Sequence, residues 1–240
     1  MTISIYTDEK LLTFLRVSAR FTREDFGLGK HRFRCQLGNL CRINYIGPRF
    51  RPGGTALIGH SSGSGEKRGE EFFAERDARL VPKMKAFRDS GSSQALADLM
   101  EEEGRETQCW RLWWAISGTI SQLGCDFEEV AIANLLPFTV YDAERSTLRR
   151  SSCATWPKAV RHFLHPWLAA TRAGIVIWLG KEGYSEAQRH WPAVPADAVV
   201  NRARNLSQAE KFRDLDEKLA SGLIRTGGTP STGLSHRRVT

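Results

Sequence analysis

Four short apolar runs divide the chain, and each stops where glycine or small polar residues begin. Runs of this length that are rich in Ile, Val, Leu and Ala are typical of strands buried in a sheet. Longer segments between the runs repeat their apolar positions at helical spacing, which predicts amphipathic helices. The predicted strands are residues 55–58, 130–133, 175–179 and 198–200, and the predicted helices are residues 72–88, 109–123, 156–171 and 206–220.

This alternation of strands and helices predicts a parallel sheet with helices on both of its faces. We therefore expect an α/β fold, namely a three-layer α/β/α sandwich with a short central four-stranded parallel sheet. In sheets of this kind, ligands bind beyond the carboxyl ends of the strands, where the loops converge. The residues that follow the apolar runs are therefore the first candidates for a functional site.

The segments outside the four runs suggest three regions. Thr7 and Asp8 precede a helical pattern that extends to about Phe21, and residues 27–54 have the glycine, arginine and aromatic content of a loop excursion. The segment 225–240 has three arginines, no acidic residue and many Gly, Ser and Thr residues. We predict an N-terminal helix and loop that pack on the core (1–54), an α/β domain (55–221) and a flexible basic tail (222–240).

Composition narrows the class of protein. A chain of 240 residues with 41% hydrophobic and 26% charged residues suits one globular domain. It has no apolar run long enough to span a membrane, and its start lacks a secretory signal, so we expect an intracellular, cytoplasmic monomer. The five scattered cysteines indicate small apolar core residues rather than disulfides. The net charge of +8 favours attraction to DNA or another nucleic acid.

A glycine-rich segment follows the first predicted strand. Four glycines occur among residues 59–69, and such a turn exposes backbone N–H groups and allows a ligand to approach the main chain. The segment is not a phosphate-binding P-loop, because Gly65 is followed by Glu66 rather than lysine. The alternative is an ordinary flexible connection between a strand and a helix.

Two further polar segments follow predicted strands. Asn134 comes directly after an apolar run, and its amide can donate and accept hydrogen bonds at once, as recognition of a pyrimidine edge requires. The alternative is a turn residue that satisfies local backbone groups. Asn205 and Ser207 precede the last predicted helix, where Ser207 could instead cap the helix together with Glu210.

Taken in chain order, these segments resemble the uracil-DNA glycosylase superfamily. Residues 56–63, ALIGHSSG, stand where that family has a glycine-containing loop after its first core strand, and residues 130–138, VAIANLLPF, resemble the strand whose asparagine reads the uracil edge. Residues 173–181 resemble the family's strand that ends in Leu-Gly, and Asn205 and Ser207 resemble its last loop. The resemblance covers residues 53–220.

The resemblance implies a base-excision enzyme of DNA repair. Such an enzyme hydrolyses the N-glycosidic bond of uracil or another deaminated base that is flipped out of DNA. By this resemblance, Ser61 and His60 would orient the attacking water, and Asn205 would complete the catalytic set. The implied base-binding residues are Gly59, Ser62, Gly63, Phe72, Phe73, Asn134 and Ser207.

The chain also departs from the family pattern. Ser61 replaces the acid or amide that commonly handles the water, and a serine hydroxyl is a poor general base at neutral pH. The proline expected after Asn205 is missing, and the cysteine spacing does not fit an iron–sulfur cluster. We therefore expect no metal and no cofactor. Two alternatives stay open: a noncatalytic protein that binds nucleic acid or a nucleotide, and a hydrolase of a small nucleoside.

Basic residues near the predicted site are candidates for contacts with DNA phosphates. Arg49 and Arg51 precede the first predicted strand, and a second basic group lies between the second and third. A charged helix and loop that face solvent are the alternative interpretation. The predicted phosphate contacts are Arg49, Arg51, Arg149, Arg150 and Lys158.

Overall fold

The computed structural model describes residues 5–29, 36–63, 70–140, 144, 147–148 and 153–225. Within these ranges the chain forms eight α-helices and five strands. The helices are α1 (Glu9–Ser18), α2 (Glu70–Ser90), α3 (Ser93–Gln108), α4 (Trp113–Leu123), α5 (Thr155–Ala159), α6 (His165–Thr171), α7 (Lys181–His190) and α8 (Gln208–Ala220), and a π-helical turn (Val160–Leu164) joins α5 to α6. The strands are β1 (Tyr45–Ile46), β2 (Thr55–Gly63), β3 (Val130–Val140), β4 (Ile175–Trp178) and β5 (Ala198–Val199).

The strands form one sheet in the order β1-β3-β2-β4-β5. The four strands that the sequence predicts, β2 to β5, are mutually parallel, so the predicted α/β/α fold class is confirmed. The sheet has five strands rather than four, because β1 pairs antiparallel with the outer edge of β3. A two-residue strand is too short to show a period of two in the sequence, and it lies inside the segment that was predicted to be a loop.

The parallel strands reach one common level at their carboxyl ends. Ile58 pairs with both Ala133 and Trp178, and Trp178 pairs with Val199. Past this level β4 and β5 end, whereas β2 and β3 continue as a two-stranded ribbon. The predicted ends of these two strands at residues 58 and 133 were therefore too early. A register shift interrupts the ribbon next to Pro137, in keeping with the lack of a donor N–H in proline.

Alternate residues of each strand pack on opposite helical layers. On the face that we call the first face, Ala56, Ile58 and Ala133 join a cluster with residues of α1, α2, α3, α5, α6 and α7. On the second face, Leu57, Ile132 and other strand residues join a smaller cluster with residues of α4 and α8. The sheet is thus covered on both sides, which leaves its carboxyl edge as the place where loops meet.

Two predicted helices show why their sequence patterns were informative. Helix α1 begins after Asp8, whose carboxylate accepts a hydrogen bond from the Leu11 N–H at 3.1 Å. In the helix from α5 to α6, Arg161 is exposed, and the predicted apolar stripe is buried. That stripe consists of Trp156, Val160, Phe163, Trp167 and Leu168.

Helix α3 was not predicted, because acidic residues dominate its pattern. Glu102, Glu103 and Glu106 are all buried, which hydrophobic periodicity cannot indicate. Arginine partners make this possible, since Arg42 pairs with Glu103 and Arg79 pairs with Glu102 and Glu106.

Packing continues to the last residues described. Ile224 is buried against the second-face cluster, and its N–H donates to the Lys218 carbonyl at 3.2 Å. The remainder of the predicted tail, residues 226–240, lies outside the described residues. Of the helices described, none combines the length and the apolar character needed to cross a membrane.

Candidate functional site

Two predicted base-binding residues from distant parts of the chain are neighbours in the sheet. Gly59 pairs with Asn134, one residue beyond the level at which β4 and β5 end. A β-carbon on residue 59 would lie only 2.4 Å from the Asn134 Oδ1, so the asparagine amide occupies the space that the glycine leaves. The prediction that the strand ends just before Asn134 is wrong, because β3 runs on to Val140.

A second buried asparagine holds the Asn134 side chain. The Asn134 Nδ2 donates to the Asn44 Oδ1 at 3.1 Å, and the Asn44 Nδ2 donates to the Arg42 carbonyl at 3.2 Å. Asn134 is 2% exposed, and Asn44 is fully buried in a left-handed backbone conformation with φ of 62°. Sequence reasoning missed Asn44, because a lone asparagine in a loop segment does not reveal which distant side chain it contacts.

His60 lies on the first face of the sheet. Its ring stacks on Trp156 with a centroid distance of 4.6 Å, and α7 passes so close that a β-carbon on Gly183 would lie 3.3 Å from the His60 Cα. Burial lowers the pKa of His60 below its ordinary value, and the positive charge of Arg202 adds to this, whereas Glu182 opposes it. The ring is therefore a neutral imidazole at pH 7.

The structure separates His60 from Ser61. Successive residues of a strand point to opposite faces, and no register shift occurs before Ser61. Ser61 therefore points to the side of Gly59 and Asn134, while His60 points toward Trp156. The prediction that His60 and Ser61 orient one water together is wrong for this reason.

Burial of neutral His60 should make the stability of the fold depend on pH. Below the ordinary pKa of 6.5 the unfolded chain binds a proton that folded His60 does not, so the free energy of unfolding falls as the pH decreases. The fall levels off once folded His60 is protonated as well. Urea unfolding between pH 5 and pH 8 should show this dependence, and a His60→Gln variant should lose that part of it.

A matched control is a His162→Gln variant, because His162 is exposed on the same helical segment that carries Trp156. This control retains His60 and should keep the wild-type dependence. If the unfolding free energies of wild type and His60→Gln depended equally on pH, burial of neutral His60 would not be the cause of the dependence.

The predicted last loop has a different role. Asn205 and Ser207 are both exposed, and Ser207 caps α8: its hydroxyl accepts from the Glu210 N–H at 3.3 Å, and its own N–H donates to the Glu210 carboxylate at 2.8 Å. The hydrogen bonds that the Ser207 hydroxyl and backbone N–H donate to the Glu210 carboxylate lower the pKa of Glu210. The alternative interpretation of Ser207 as a helix cap is confirmed, and nothing places Asn205 beside Gly59.

Arg202, which sequence analysis did not select, lies at the carboxyl edge of the sheet. It comes shortly after β5, and its guanidinium Nη1 donates to the Leu179 carbonyl at 3.2 Å, beyond the end of β4. A β-carbon on Gly180 would lie 3.0 Å from the Arg202 Cδ. The available signal was its position directly after a strand, which is where such sheets bind ligands.

The predicted base-binding residues at the end of β2 and the start of α2 are only partly described. Phe72 is partly buried near the start of α2, and the Arg76 guanidinium lies 5.5 Å from its ring centroid. The side chains of Phe73, Ser62 and position 63 lie outside the described residues, as do residues 64–69.

Two of the predicted phosphate contacts, Arg49 and Arg51, do not lie at the carboxyl edge. Arg49 forms ion pairs with Asp126 at 2.6 Å and Glu128 at 3.0 Å, just before β3 begins. Arg51 precedes β2, so both arginines lie at the amino edge of the sheet, away from the predicted base site. A loop before a parallel strand is at the opposite edge from the loop after it.

Of the other three predicted phosphate contacts, the structure describes only Lys158. Lys158 lies in α5, where it contributes to the lowered pKa of Asp25 after the hydrogen bonds from Thr22. The remaining two, Arg149 and Arg150, lie outside the described residues.

The cysteines divide by exposure. Cys41 is buried, as predicted for a core residue, but Cys125 and Cys153 are partly buried and Cys109 is exposed. Cys35 lies outside the described residues. Burial raises the pKa of Cys125 to about 11. In the part of the chain that the structure describes, no group of three or more His, Cys, Asp or Glu residues is placed to hold a metal ion.

A small cleft lies between the segment that precedes β1 and the second half of α2. Leu40, Cys41, Met84 and Arg88 line it, and its free volume of about 10 Å³ has room for about one water molecule. It is too small for a nucleobase. Comparison of the chain with known protein families, curated proteins and solved structures gave no match. Functional inference therefore depends on the geometry of Gly59, Asn134 and their neighbours.

Proposed function

We propose that the chain is a base-excision N-glycosyl hydrolase of the uracil-DNA glycosylase type, which removes uracil or another deaminated base from DNA. The observation that carries the proposal is the pairing of Gly59 with Asn134 at the carboxyl edge of the parallel sheet. These are the two residues that the resemblance assigns to the loop after the first strand and to recognition of the base edge. They lie 75 positions apart in the chain.

The Asn134 amide has the chemistry for recognising a pyrimidine. It carries a carbonyl that accepts and an NH₂ that donates, so it can match a ring N–H and a neighbouring carbonyl together. Asn44 fixes the orientation of the amide through its hydrogen bond to the Asn134 Nδ2. A side chain that is held in place before binding loses less conformational entropy on binding.

Ser61 and Arg202 supply the remaining functions in this proposal. Ser61 is on the side of Asn134 and would orient the attacking water through its hydroxyl. Arg202 lies over the end of the neighbouring strand β4 and would stabilise the negative charge of the departing base. Because His60 points to the other face, it does not activate Ser61, and we expect slow turnover.

The direct test is incubation of the full chain with oligonucleotides that carry a single uracil or hypoxanthine, followed by alkaline cleavage at abasic sites. The expected result is an abasic product from at least one of the two substrates. Uridine and deoxyuridine form a third arm, in which release of free base without cleavage of the oligonucleotides would favour a nucleoside hydrolase. If enzyme in excess over substrate yields no abasic product, the enzymatic proposal is wrong.

A Gly59→Ala substitution should separate base recognition from folding. The new methyl group would force the Asn134 Oδ1 away from a contact of 2.4 Å, so we expect the cleavage rate to fall by roughly 100-fold, as when one oriented polar contact is lost. Single-turnover cleavage rates measure the effect, and thermal unfolding checks that the variant is folded.

Gly29→Ala is the matched control for this substitution, because a β-carbon on Gly29 meets nothing within 4 Å. It should cleave at the wild-type rate. A Gly59→Ala variant that is as active as this control would show that the Asn134 amide does not read the base.

A noncatalytic nucleic-acid-binding protein is the second candidate. The separation of Ser61 from His60 favours it, because a serine without a neighbouring base has little power to activate water. Salt-dependent binding of uracil-containing DNA without any product would select this function.

A further inference from the structure

Three of the seven tryptophans stand within five residues, at and just before the start of α4. Trp110, Trp113 and Trp114 are all only partly buried and pack at the border of the second-face cluster. By contrast, the tryptophans of α5, α6 and β4 are buried in the core. Large rings that stay accessible in a tight group are more typical of a binding surface than of a core.

Trp110 and Trp114 lie toward the carboxyl edge of the sheet, whereas the Trp113 ring packs edge-on against Phe127, just before β3, at 5.2 Å. Helix α4 leads at its other end, through a short turn, to the beginning of β3 at the amino edge. The Arg42 guanidinium lies 5.3 Å from the Trp110 ring centroid. The backbone N–H of Arg42 donates to the Pro137 carbonyl, in the two-stranded ribbon of β2 and β3, at 2.7 Å. The start of α4 is therefore on the same side of the molecule as Asn134.

The start of α8 extends this surface. The Lys211 ammonium lies 5.0 Å from the Trp114 ring, and the Phe212 ring meets the same tryptophan edge-on at 6.0 Å. The Lys211 carbonyl also accepts from the Asn201 N–H at 2.8 Å, which ties α8 to the loop after β5. We call Trp110, Arg111, Trp114 and Lys211 the tryptophan rim.

The segments that form the tryptophan rim carry a net positive charge. Segments 109–123 and 201–213 contain five basic residues and one acidic residue, Glu210. Arg111 and Arg204 are exposed, and the amino termini of α4 and α8 add positive partial charge at the same edge. The basic residues are Arg111, Arg202, Arg204, Lys211 and Arg213.

We propose that the tryptophan rim binds single-stranded DNA next to the base site. Bases stack on the accessible parts of the Trp110 and Trp114 rings, and Arg111 and Lys211 neutralise phosphates. Arg42 covers Trp110 from inside and is 2% exposed, so the accessible part of that ring lies away from it. Duplex DNA keeps its bases stacked inside the helix, and the rim therefore selects an unpaired strand. This inference builds on the proposed function, because it supplies the surface that holds the strand around the excised base.

The test measures binding rather than cleavage. Fluorescence anisotropy of a labelled 12-nucleotide oligo-dT and of a duplex of the same length is recorded with the full chain over a series of salt concentrations. We expect the single strand to bind at least tenfold more tightly than the duplex. We also expect it to quench tryptophan fluorescence, and a Trp114→Phe variant should show less quenching.

Charge reversal supplies the residue-level test. Arg111→Glu should weaken binding of the single strand by at least tenfold and reduce the slope of log K against log salt by about 1. The control is Arg20→Glu, the same change at an exposed arginine that follows α1, on the first face. It should alter binding less than twofold.

Equal effects of the two charge reversals, or equal affinity for single strand and duplex, would overturn the proposal. The outcome is distinguishable from failure of the proposed function. Binding as expected without abasic product would support the tryptophan rim and contradict the proposed enzymatic activity. Cleavage together with unchanged binding by Arg111→Glu would support the enzymatic activity and contradict the rim.

Discussion

A Glu103→Leu variant should lose about 3–5 kcal/mol of unfolding free energy, as is typical when one member of a buried ion pair is removed. Glu103 is fully buried and Arg42 is 2% exposed, and the Arg42 guanidinium donates to the Glu103 carboxylate through two nitrogens. Without the carboxylate, the arginine charge stays in a region that water does not reach. Urea unfolding at neutral pH, followed by circular dichroism, measures the loss.

The double variant Arg42→Met with Glu103→Leu is the control. It removes both charges at similar volume, so it should be considerably more stable than Glu103→Leu alone. A double variant that is no more stable than the single one would show that the charge left unpaired is not the cause.

The Arg42–Glu103 ion pair also supports the candidate site. The Arg42 carbonyl accepts from Asn44, and Asn44 accepts from Asn134, so movement of residue 42 is passed on to the amide that faces Gly59. Glu103→Leu should therefore reduce base excision further than its folded fraction explains. Single-turnover assays under conditions in which the variant is folded would reveal this additional loss.

A Gly47→Ala variant should lose about 3 kcal/mol of unfolding free energy, at the upper end of the range for overpacking. A β-carbon on Gly47 would lie 2.1 Å from the Glu128 carbonyl oxygen and 2.4 Å from its carbonyl carbon. Those atoms are backbone, so no side-chain rotation relieves the clash. The surrounding hydrogen bonds, from the Gly47 N–H to the Val130 carbonyl and from the Arg49 N–H to the Glu128 carbonyl, must lengthen instead.

Thermal unfolding of Gly47→Ala beside Gly29→Ala measures this effect, since the control alanine meets nothing within 4 Å. The control should unfold within a few degrees of wild type. Because Gly47 is at the amino edge of the sheet, DNA binding by the folded fraction should not change. A Gly47→Ala chain as stable as the control would mean that the segment before β2 does not press against the beginning of β3.

Sequence analysis came closest where one local pattern was sufficient. The apolar stripe from Trp156 to Leu168 is buried as predicted, and the predicted strands are parallel. It was least successful for an element rich in acidic residues and for a very short strand. Helix α3 buries three glutamates against arginines, and β1 has only two residues. The apolar period of α3 is confined to its first half, at Leu96, Leu99 and Met100, and a strand of two residues is too short to show a period.

For the candidate site, sequence alone named Gly59 and Asn134 but not Asn44, which accepts a hydrogen bond from the Asn134 amide. Asn44 is brought to Asn134 only by the antiparallel pairing of β1 with β3. His60 and Ser61 are adjacent in sequence, yet the pleat of β2 sends them to opposite faces. Arg49 was expected near the site because it precedes β2, but that loop lies at the amino edge.

The sequence by itself determined the α/β class and most of the helices and parallel strands, because apolar spacing is a property of neighbouring residues. Only the tertiary structure decided the register of β2 against β3, the antiparallel edge strand and the side of the sheet on which each polar residue lies. These features arise from contacts between residues far apart in the chain. A shift of one residue in strand pairing would turn every side chain of that strand to the other face.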